Sequence, residues 1–477
     1  MTKQPAHAPH LLSVEAALAQ TAEEVTQRYR TYVNPGIVAQ MQLVGFNKRF
    51  VRAQGTTVYD DRGDPYLDLL GAFGALNLGH NPPEVLRAVQ QAMDQPNLLQ
   101  ASLGAAAAAL AHNLAALLPG DLSRTFFCNS GAEAVEGALK FARAATGRPV
   151  FAYCKGAFHG KSYGALSVTG REKYRAPFQP LLPDTREIAY GDPDALEQVL
   201  KARDVAAFIV EPIQGEGGVV LPPDGYLREA EALCHQYGTL LIVDEIQTGL
   251  GRCGTLFAFE REGIVPDIVC LAKSLGGGIM PIGAFTTTPA IWDQVLGGME
   301  RSQLHTSTFG GNTLACVAGI AAINAILDKQ LPQRALTIGE HLKAGLAQAA
   351  AKHPELIDDV RGRGLMIGIA FHIPNSDRNR GIGSTLHHLG EEYIGSMVAG
   401  ELMNHHHMIT AYTLNNPAVI RIEPPLILTE QEADDTIAAF SEVLERIKNP
   451  LGLAVSSGKT MIATAVGRVV DKAKRNR

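Results

Sequence analysis

Between about residues 120 and 300 the chain repeats one theme: a short apolar run, a turn, then an amphipathic stretch. Apolar runs at 125–128, 150–154, 206–210, 240–243, 268–271 and 282–286 predict strands. Near-continuous apolar strands separated by helices predict a parallel sheet covered on both faces. Ahead of it, residues 1–30 read as a helical arm with Leu11, Leu12, Val14, Ala17 and Leu18 on one face. Residues 45–70 alternate as strands do, turning at Asp60-Asp61-Arg62-Gly63-Asp64. The alanine-rich stretch 104–118 predicts a buried helix that stops at Pro119-Gly120. A long helix is expected over 313–329. Beyond it, helices at 335–351 and 431–447 mix with strands at 365–371 and 419–422.

This pattern divides the chain into four parts. Residues 1–90 hold the N-terminal arm and part of a small domain, and 91–330 form a large α/β domain with a mostly parallel sheet. Residues 331–450 form a smaller α+β domain, and 451–477 a basic tail. In the tail, Gly458-Lys459-Thr460 is a poor phosphate-binding loop, because Leu453 stands where the motif needs a glycine.

Composition narrows the class. A formal charge of −6 gives no reason to expect nucleic acid as a partner. No apolar run reaches the roughly 18–20 residues of a membrane span. The six cysteines carry no metal-ligand spacing and sit mostly in apolar runs, so a reduced, cytoplasmic protein without a metal site is expected. His405-His406-His407 resembles a metal tract only in composition and is expected to be solvent-exposed between a helix and a strand.

The candidate chemistry lies at the strand ends. Lys273 closes the run at 268–271 and faces Gly276-Gly277-Gly278. Burial lowers a lysine's pKa, and the neutral amine can form a Schiff base with a carbonyl. Taken alone, a strand-end lysine reads as an exposed one. Asp244 ends another run, where acids point into the ligand crevice of such folds. A carboxylate there would keep a pyridine nitrogen protonated while a lysine holds the ring's carbonyl end. Ser130-Gly131-Ala132 opens a helix and offers free N–H groups to a phosphate; Ser130 with Glu133 is also a helix cap. Phe158, in Phe158-His159-Gly160, follows the next strand and could lie flat on a ring.

These motifs resemble, in order and spacing, the class III (ω-) aminotransferases, pyridoxal 5'-phosphate (PLP) enzymes of fold type I. The likeness also includes Glu211-Pro212-Ile213-Gln214-Gly215-Glu216-Gly217, Asp244-Glu245-Ile246-Gln247-Thr248-Gly249 and Thr306-Ser307-Thr308-Phe309-Gly310-Gly311-Asn312, and it covers about residues 35–450. The resemblance implies a PLP-binding large domain. In it, Lys273 is the Schiff-base lysine and proton shuttle, Asp244 the pyridine partner, and Gln247 the residue at the ring hydroxyl. Phe158 and Ile246 would pack the two ring faces, with His159 also at the cofactor. Ser130, Gly131 and Ala132 would cradle the phosphate, with Thr308 donated by a neighbouring subunit, so a homodimer (or a tetramer) with shared sites is implied. Arg421 would clamp the carboxylate of a keto acid, and Glu216 would be its switch partner.

Within the family, Tyr32-Val33-Asn34-Pro35-Gly36 and Thr413-Leu414-Asn415-Asn416 resemble the diamine (putrescine) branch. The ornithine branch has an arginine where this chain has Lys161, and some members have a tyrosine where it has Phe73. Both departures favour a donor without a carboxylate, since lysine lacks the bidentate fork. The expectation is a transaminase passing the terminal amino group of a putrescine- or cadaverine-like diamine to 2-oxoglutarate or pyruvate. The alternatives are an ornithine, acetylornithine or 4-aminobutyrate enzyme, a racemase or aminomutase on the same fold, or a non-catalytic PLP-binding protein.

Overall fold

The computed structural model describes residues 11–43, 45–373 and 382–447. The basic tail at 451–477 lies outside them. Strands β1 (Phe50–Gln54), β2 (Thr57–Asp60) and β3 (Pro65–Asp68) form an antiparallel meander. The turn between β2 and β3 is tied by the Asp60 carboxylate, which accepts from Arg62 N at 3.0 Å and Asp64 N at 2.9 Å.

The central sheet holds β4 (Arg124–Cys128), β5 (Val150–Cys154), β6 (Thr185–Ile188), β7 (Val205–Val210), β8 (Leu240–Asp244), β9 (Ile268–Leu271) and β10 (Gly283–Thr287). Their order is β4-β10-β9-β8-β7-β5-β6. The six runs expected as strands form the sheet together with β6, a short edge strand whose sequence Thr-Arg-Glu-Ile has no apolar run. The sheet is not wholly parallel: β10 runs antiparallel to both β4 and β9. The connection from Leu271 to Gly283 is too short to carry a crossover helix, so the chain must reverse.

The helix Gly131–Thr146 covers one face, seating Val135, Ala138, Phe141 and Ala142 on Phe151, Ile209, Ile242 and Phe285. The helices Tyr226–Tyr237 and Thr313–Asp328 cover the other. Each fully buried large side chain contributes about 1.5–3 kcal/mol, and this rigid layer fixes the strand ends that carry the chemistry. The alanine-rich helix Ala105–Leu117 buries only Leu110 and Leu114 completely, because it packs along one edge against Thr313–Asp328. That corrects the expectation of a buried helix.

Strands β11 (Ile357–Arg363), β12 (Met366–Phe371), β14 (Ala411–Tyr412) and β15 (Val419–Ile422) form a third sheet, ordered β11-β12-β15-β14. The helices Leu331–Ala350 and Glu430–Ile447 pack together behind it. The remaining strand, β13 (Met408–Ile409), joins β3 in parallel. The histidine tract does not sit wholly in a loop. The helix Ile382–His406 includes its first two residues, and of the three only His405 is exposed, the others being half-buried. In the N-terminal arm, the helices Val14–Leu18 and Ala22–Tyr32 bury no residue, and Leu11 is 82% exposed. Among the described residues, no single helix is long and apolar enough to cross a membrane.

Candidate active site

The carboxyl ends of β4, β5, β7, β8 and β9 open onto one cavity of about 480 Å³, where open α/β sheets bind their ligands. Lys273 lines it directly after β9 and has a φ of 49°, the left-handed region that residues with a Cβ rarely adopt. Such strain collects at functional positions. Burial lowers the pKa of Lys273, and the carboxylates of Glu423 and Glu216 partly oppose that fall. Burial thereby favours the neutral amine over the ammonium.

Asp244 ends β8 on the cavity wall. Its Oδ1 accepts from Ile246 N at 3.0 Å, and His159 Nδ1 lies 2.7 Å from Oδ2. A carboxylate of this kind can only accept, so the imidazole N–H donates and the histidine tautomer is set. Sequence reasoning put His159 at the cofactor; it lines the cavity and also orients Asp244.

Ser130 caps the helix Gly131–Thr146, its Oγ accepting from Glu133 N at 3.2 Å. Gly131 and Ala132 follow in the first turn, where N–H groups have no partner inside the helix and the dipole favours an anion. A Cβ at Gly131 would lie 2.8 Å from Ile246 Cδ1, so a larger residue there would displace Ile246 from the cavity wall. Phe158 and Ile246 both line the cavity. Phe158 is anchored through its backbone N–H, which donates to Glu211 Oε1 at 2.9 Å.

Behind the cavity lies an ion cluster. Arg421, fully buried on β15, pairs through Nη2 with Glu216 and through Nη1 with Glu423 at 3.4 Å. Its guanidinium sits 5.1 Å from the Phe73 ring centroid. Burial alone would raise the Glu216 carboxyl, but Arg421 and the Leu414 N–H (2.7 Å) hold it below its usual value. Arg171 and Tyr174 in turn donate to the Leu414 carbonyl, so the segment that holds Glu216 is itself clamped.

The structure thus gathers Ser130, Gly131, Ala132, Phe158, His159, Asp244, Ile246, Gln247 and Lys273 around one space. Gln247 differs from expectation in detail: its Nε2 donates to Glu423 Oε2 at 3.0 Å and to the Phe73 carbonyl at 3.2 Å. The amide oxygen remains the atom that could accept from a ring hydroxyl. Lys161 is exposed at the edge of the site, with Nζ 4.3 Å from the Tyr174 ring centroid and 5.8 Å from that of Phe158. Thr308 is exposed on a loop and does not reach this cavity; its carbonyl accepts from Gln100 at 3.3 Å.

Two groups in the site carried no assignment from the sequence. Glu211 bridges Phe158 N and Gly215 N, and burial pushes its carboxyl up to about 7. Glu423 joins Arg421 to Gln247. Glu211 belongs to a quoted motif, but its contact with Phe158 spans 53 residues and that of Glu423 with Gln247 spans 176, so no spacing announces them.

The donor set suits PLP: helix N–H groups for a phosphate, an aimed carboxylate for a pyridinium, and a desolvated lysine for the aldehyde. Comparison with known proteins agrees. The aminotransferase class-III family model matches residues 42–444. A putrescine aminotransferase from Pectobacterium atrosepticum is 43% identical over 448 residues, 91% of each chain. Aminotransferase PigE from a Serratia species is 39% identical over 94% of this chain, which spans only 56% of that longer relative. Among solved structures, an ornithine aminotransferase from Toxoplasma gondii superposes with a TM-score of 0.80 at 30% identity, covering 92% of this chain and 99% of its own. An amine transaminase from an uncultivated Pseudomonas species in its PLP-bound form gives 0.75 at 28%, covering 84% and 95%. The chain belongs to the class-III aminotransferases, PLP-dependent enzymes of fold type I.

Proposed function

We propose that this aminotransferase moves the terminal amino group of a diamine, of the putrescine or cadaverine kind, to a keto acid such as 2-oxoglutarate or pyruvate. The observation that carries this reading is the closed Glu216–Arg421 pair. With its arginine already satisfied, that end of the site presents no free cation to a donor carboxylate. The likeness to a putrescine aminotransferase supports the same donor class. Lys161, which lacks the bidentate fork of an arginine, favours the same donor class.

PLP, when bound, supplies an electron sink for the carbon that bears the reacting amine. Ser130, Gly131 and Ala132 hold the phosphate, and Phe158 and Ile246 keep water from the two ring faces. Asp244, aimed by His159, holds a proton at the ring nitrogen. Lys273 Nζ, which desolvation favours in its neutral form, would take the proton from the substrate carbon and deliver it on the far side of the reacting nitrogen, two atoms along. Glu216 stays on Arg421 while the diamine reacts, then yields to the carboxylate of the incoming keto acid.

A homodimer completes the site in this reading, with Thr308 serving the phosphate of the other subunit. The segment holding Gln100, which bonds Thr308, leaves Leu103 98% exposed, and Met299 is 95% exposed. Large apolar side chains this exposed are suited to contact with a second copy. Six free, buried cysteines fit a reducing, cytoplasmic setting.

The test is reduction of the holoenzyme with borohydride, followed by peptide mapping. The pyridoxyl mass is expected on the peptide containing Lys273 and on no other. A labelled peptide elsewhere, or labelling that persists in Lys273→Ala, would contradict the assignment.

A further inference from the structure

Two carboxylates hold Arg421, and substrate exchange involves only one of them. Glu216 reaches it from the loop after β7. Glu423 lies two residues beyond Arg421, so both side chains leave the same face of the chain. Glu423 Oε2 accepts from Arg421 Nη1 at 3.4 Å and Gln247 Nε2 at 3.0 Å. Its backbone is pinned as well. Glu423 N donates to Leu69 O at 2.7 Å, and Gly71, at φ +53°, packs so closely that a Cβ would lie 2.5 Å from the Glu423 carbonyl oxygen. Glu423 Oε1 is buried and has no hydrogen-bond partner among the described residues.

Glu423 therefore has no second place to go. One guanidinium bridges two carboxylates beside Lys273, the buried guanidinium of Arg252 also acts on Glu423, and one Glu423 oxygen is left unpaired. In a desolvated site a fixed charge of this kind acts strongly on any charged group that enters.

We propose that Glu423 sets donor choice through Arg421: its fixed charge favours amines that arrive as cations and weakens the grip of Arg421 on a donor carboxylate. That fixed charge stays in place whichever partner Arg421 holds, because Glu216 exchanges and Glu423 does not. An amino-acid donor must place its carboxylate against that charge, whereas a diamine gains from it. Glu423 does not line the cavity; it is a positioning residue acting through Arg421. The inference rests on reading the enzyme as a diamine transaminase with Arg421 as its carboxylate clamp.

Glu423→Gln removes the charge and keeps the length and one acceptor oxygen. In the holoenzyme, kcat/KM of the donor half-reaction is measured for putrescine and for glutamate, and their ratio is taken. The fraction of active protein cancels in that ratio. Glu423→Gln is expected to lower it by at least about tenfold, with putrescine slower and glutamate faster. Glu423→Met, which fills similar volume without charge, is expected to shift it the same way. Glu423→Asp keeps the charge and is expected to hold the ratio within about threefold of the parent. A ratio unchanged in Glu423→Gln or Glu423→Met, with both donors slowed alike, would overturn the proposal and leave Glu423 a structural role only. So would Glu423→Asp behaving as Glu423→Gln does. A parent enzyme inert toward putrescine would instead remove the diamine reading itself, and this proposal with it.

Discussion

His159 Nδ1 lies 2.7 Å from Asp244 Oδ2, with the imidazole fully buried and the carboxylate 4% exposed. The second carboxylate oxygen is fixed by Ile246 N at 3.0 Å. Two donors from different segments thus define the direction in which Asp244 faces the cavity, before any ligand enters. Orientation of this kind is what a preorganised charge needs in order to act.

Replacing Asp244 with Asn keeps the shape and removes the charge. Asp244→Asn is expected to bind PLP and to lose about 10²–10³ in turnover, the usual scale for one preorganised electrostatic group. His159→Phe is expected to lose roughly ten- to a hundredfold, as for partners that orient a functional group from behind. Turnover per bound PLP measures both. Equal and complete loss of PLP in the two variants would point to a collapsed site instead.

Arg421 serves one half of the reaction in this scheme. Arg421→Ala is expected to raise KM for the keto acid at least about tenfold while the diamine half-reaction stays within about threefold. The same variant leaves Glu216 and Glu423 buried without their cation, which costs about 3–5 kcal/mol of stability. Separate single-turnover measurements with each substrate decide the matter. Equal damage to both halves would contradict the switch.

Glu245 offers a stability test away from the chemistry. Its oxygens accept from Thr248 Oγ1 at 2.5 Å and Phe259 N at 2.9 Å, and burial pushes its carboxyl from 4.5 up to about 7. A folded pKa above the unfolded one favours the folded state fully below about 4.5, and that advantage is lost as pH rises toward 7. Glu245→Gln does not titrate, and its amide can donate to Thr248. The variant should therefore gain on the parent as pH rises from 5 to 8, by up to about 3 kcal/mol in urea unfolding. A difference independent of pH would show that Glu245 keeps an ordinary pKa.

Thr308 tests the shared site. Thr308→Ala is expected to loosen PLP by about tenfold, the scale of a lost hydrogen bond to a charged group. Hybrid dimers sharpen the point. A Lys273→Ala subunit carries an intact Thr308, so pairing it with a Thr308→Ala subunit should restore tight PLP binding at the only intact lysine. PLP retention through gel filtration reads this directly, and retention no better than in Thr308→Ala homodimers would place Thr308 outside the partner's site.

Much of this was legible in the sequence because central strands buried on both faces read as unbroken apolar runs. The strand at Ile268–Leu271 was legible to the residue, and its neighbours to within one or two. Strand direction was not, since an apolar run reads alike either way. The short link from Leu271 to Gly283 was the available sign that β10 reverses. Thr185–Ile188 escaped because an edge strand needs no apolar run. In the site, Lys273 and Asp244 stood out as charges closing apolar strands. Glu211, Glu423 and the Leu414 N–H did not, because their work depends on contacts between segments far apart in the chain, such as Leu414 with Glu216.

The most direct measurement is a half-reaction screen. The PLP form is mixed with putrescine, cadaverine, ornithine or 4-aminobutyrate without keto acid, and the loss of its visible absorbance is followed. Putrescine or cadaverine should discharge it at least about tenfold faster than either amino acid. Faster discharge by ornithine or 4-aminobutyrate would contradict the diamine assignment.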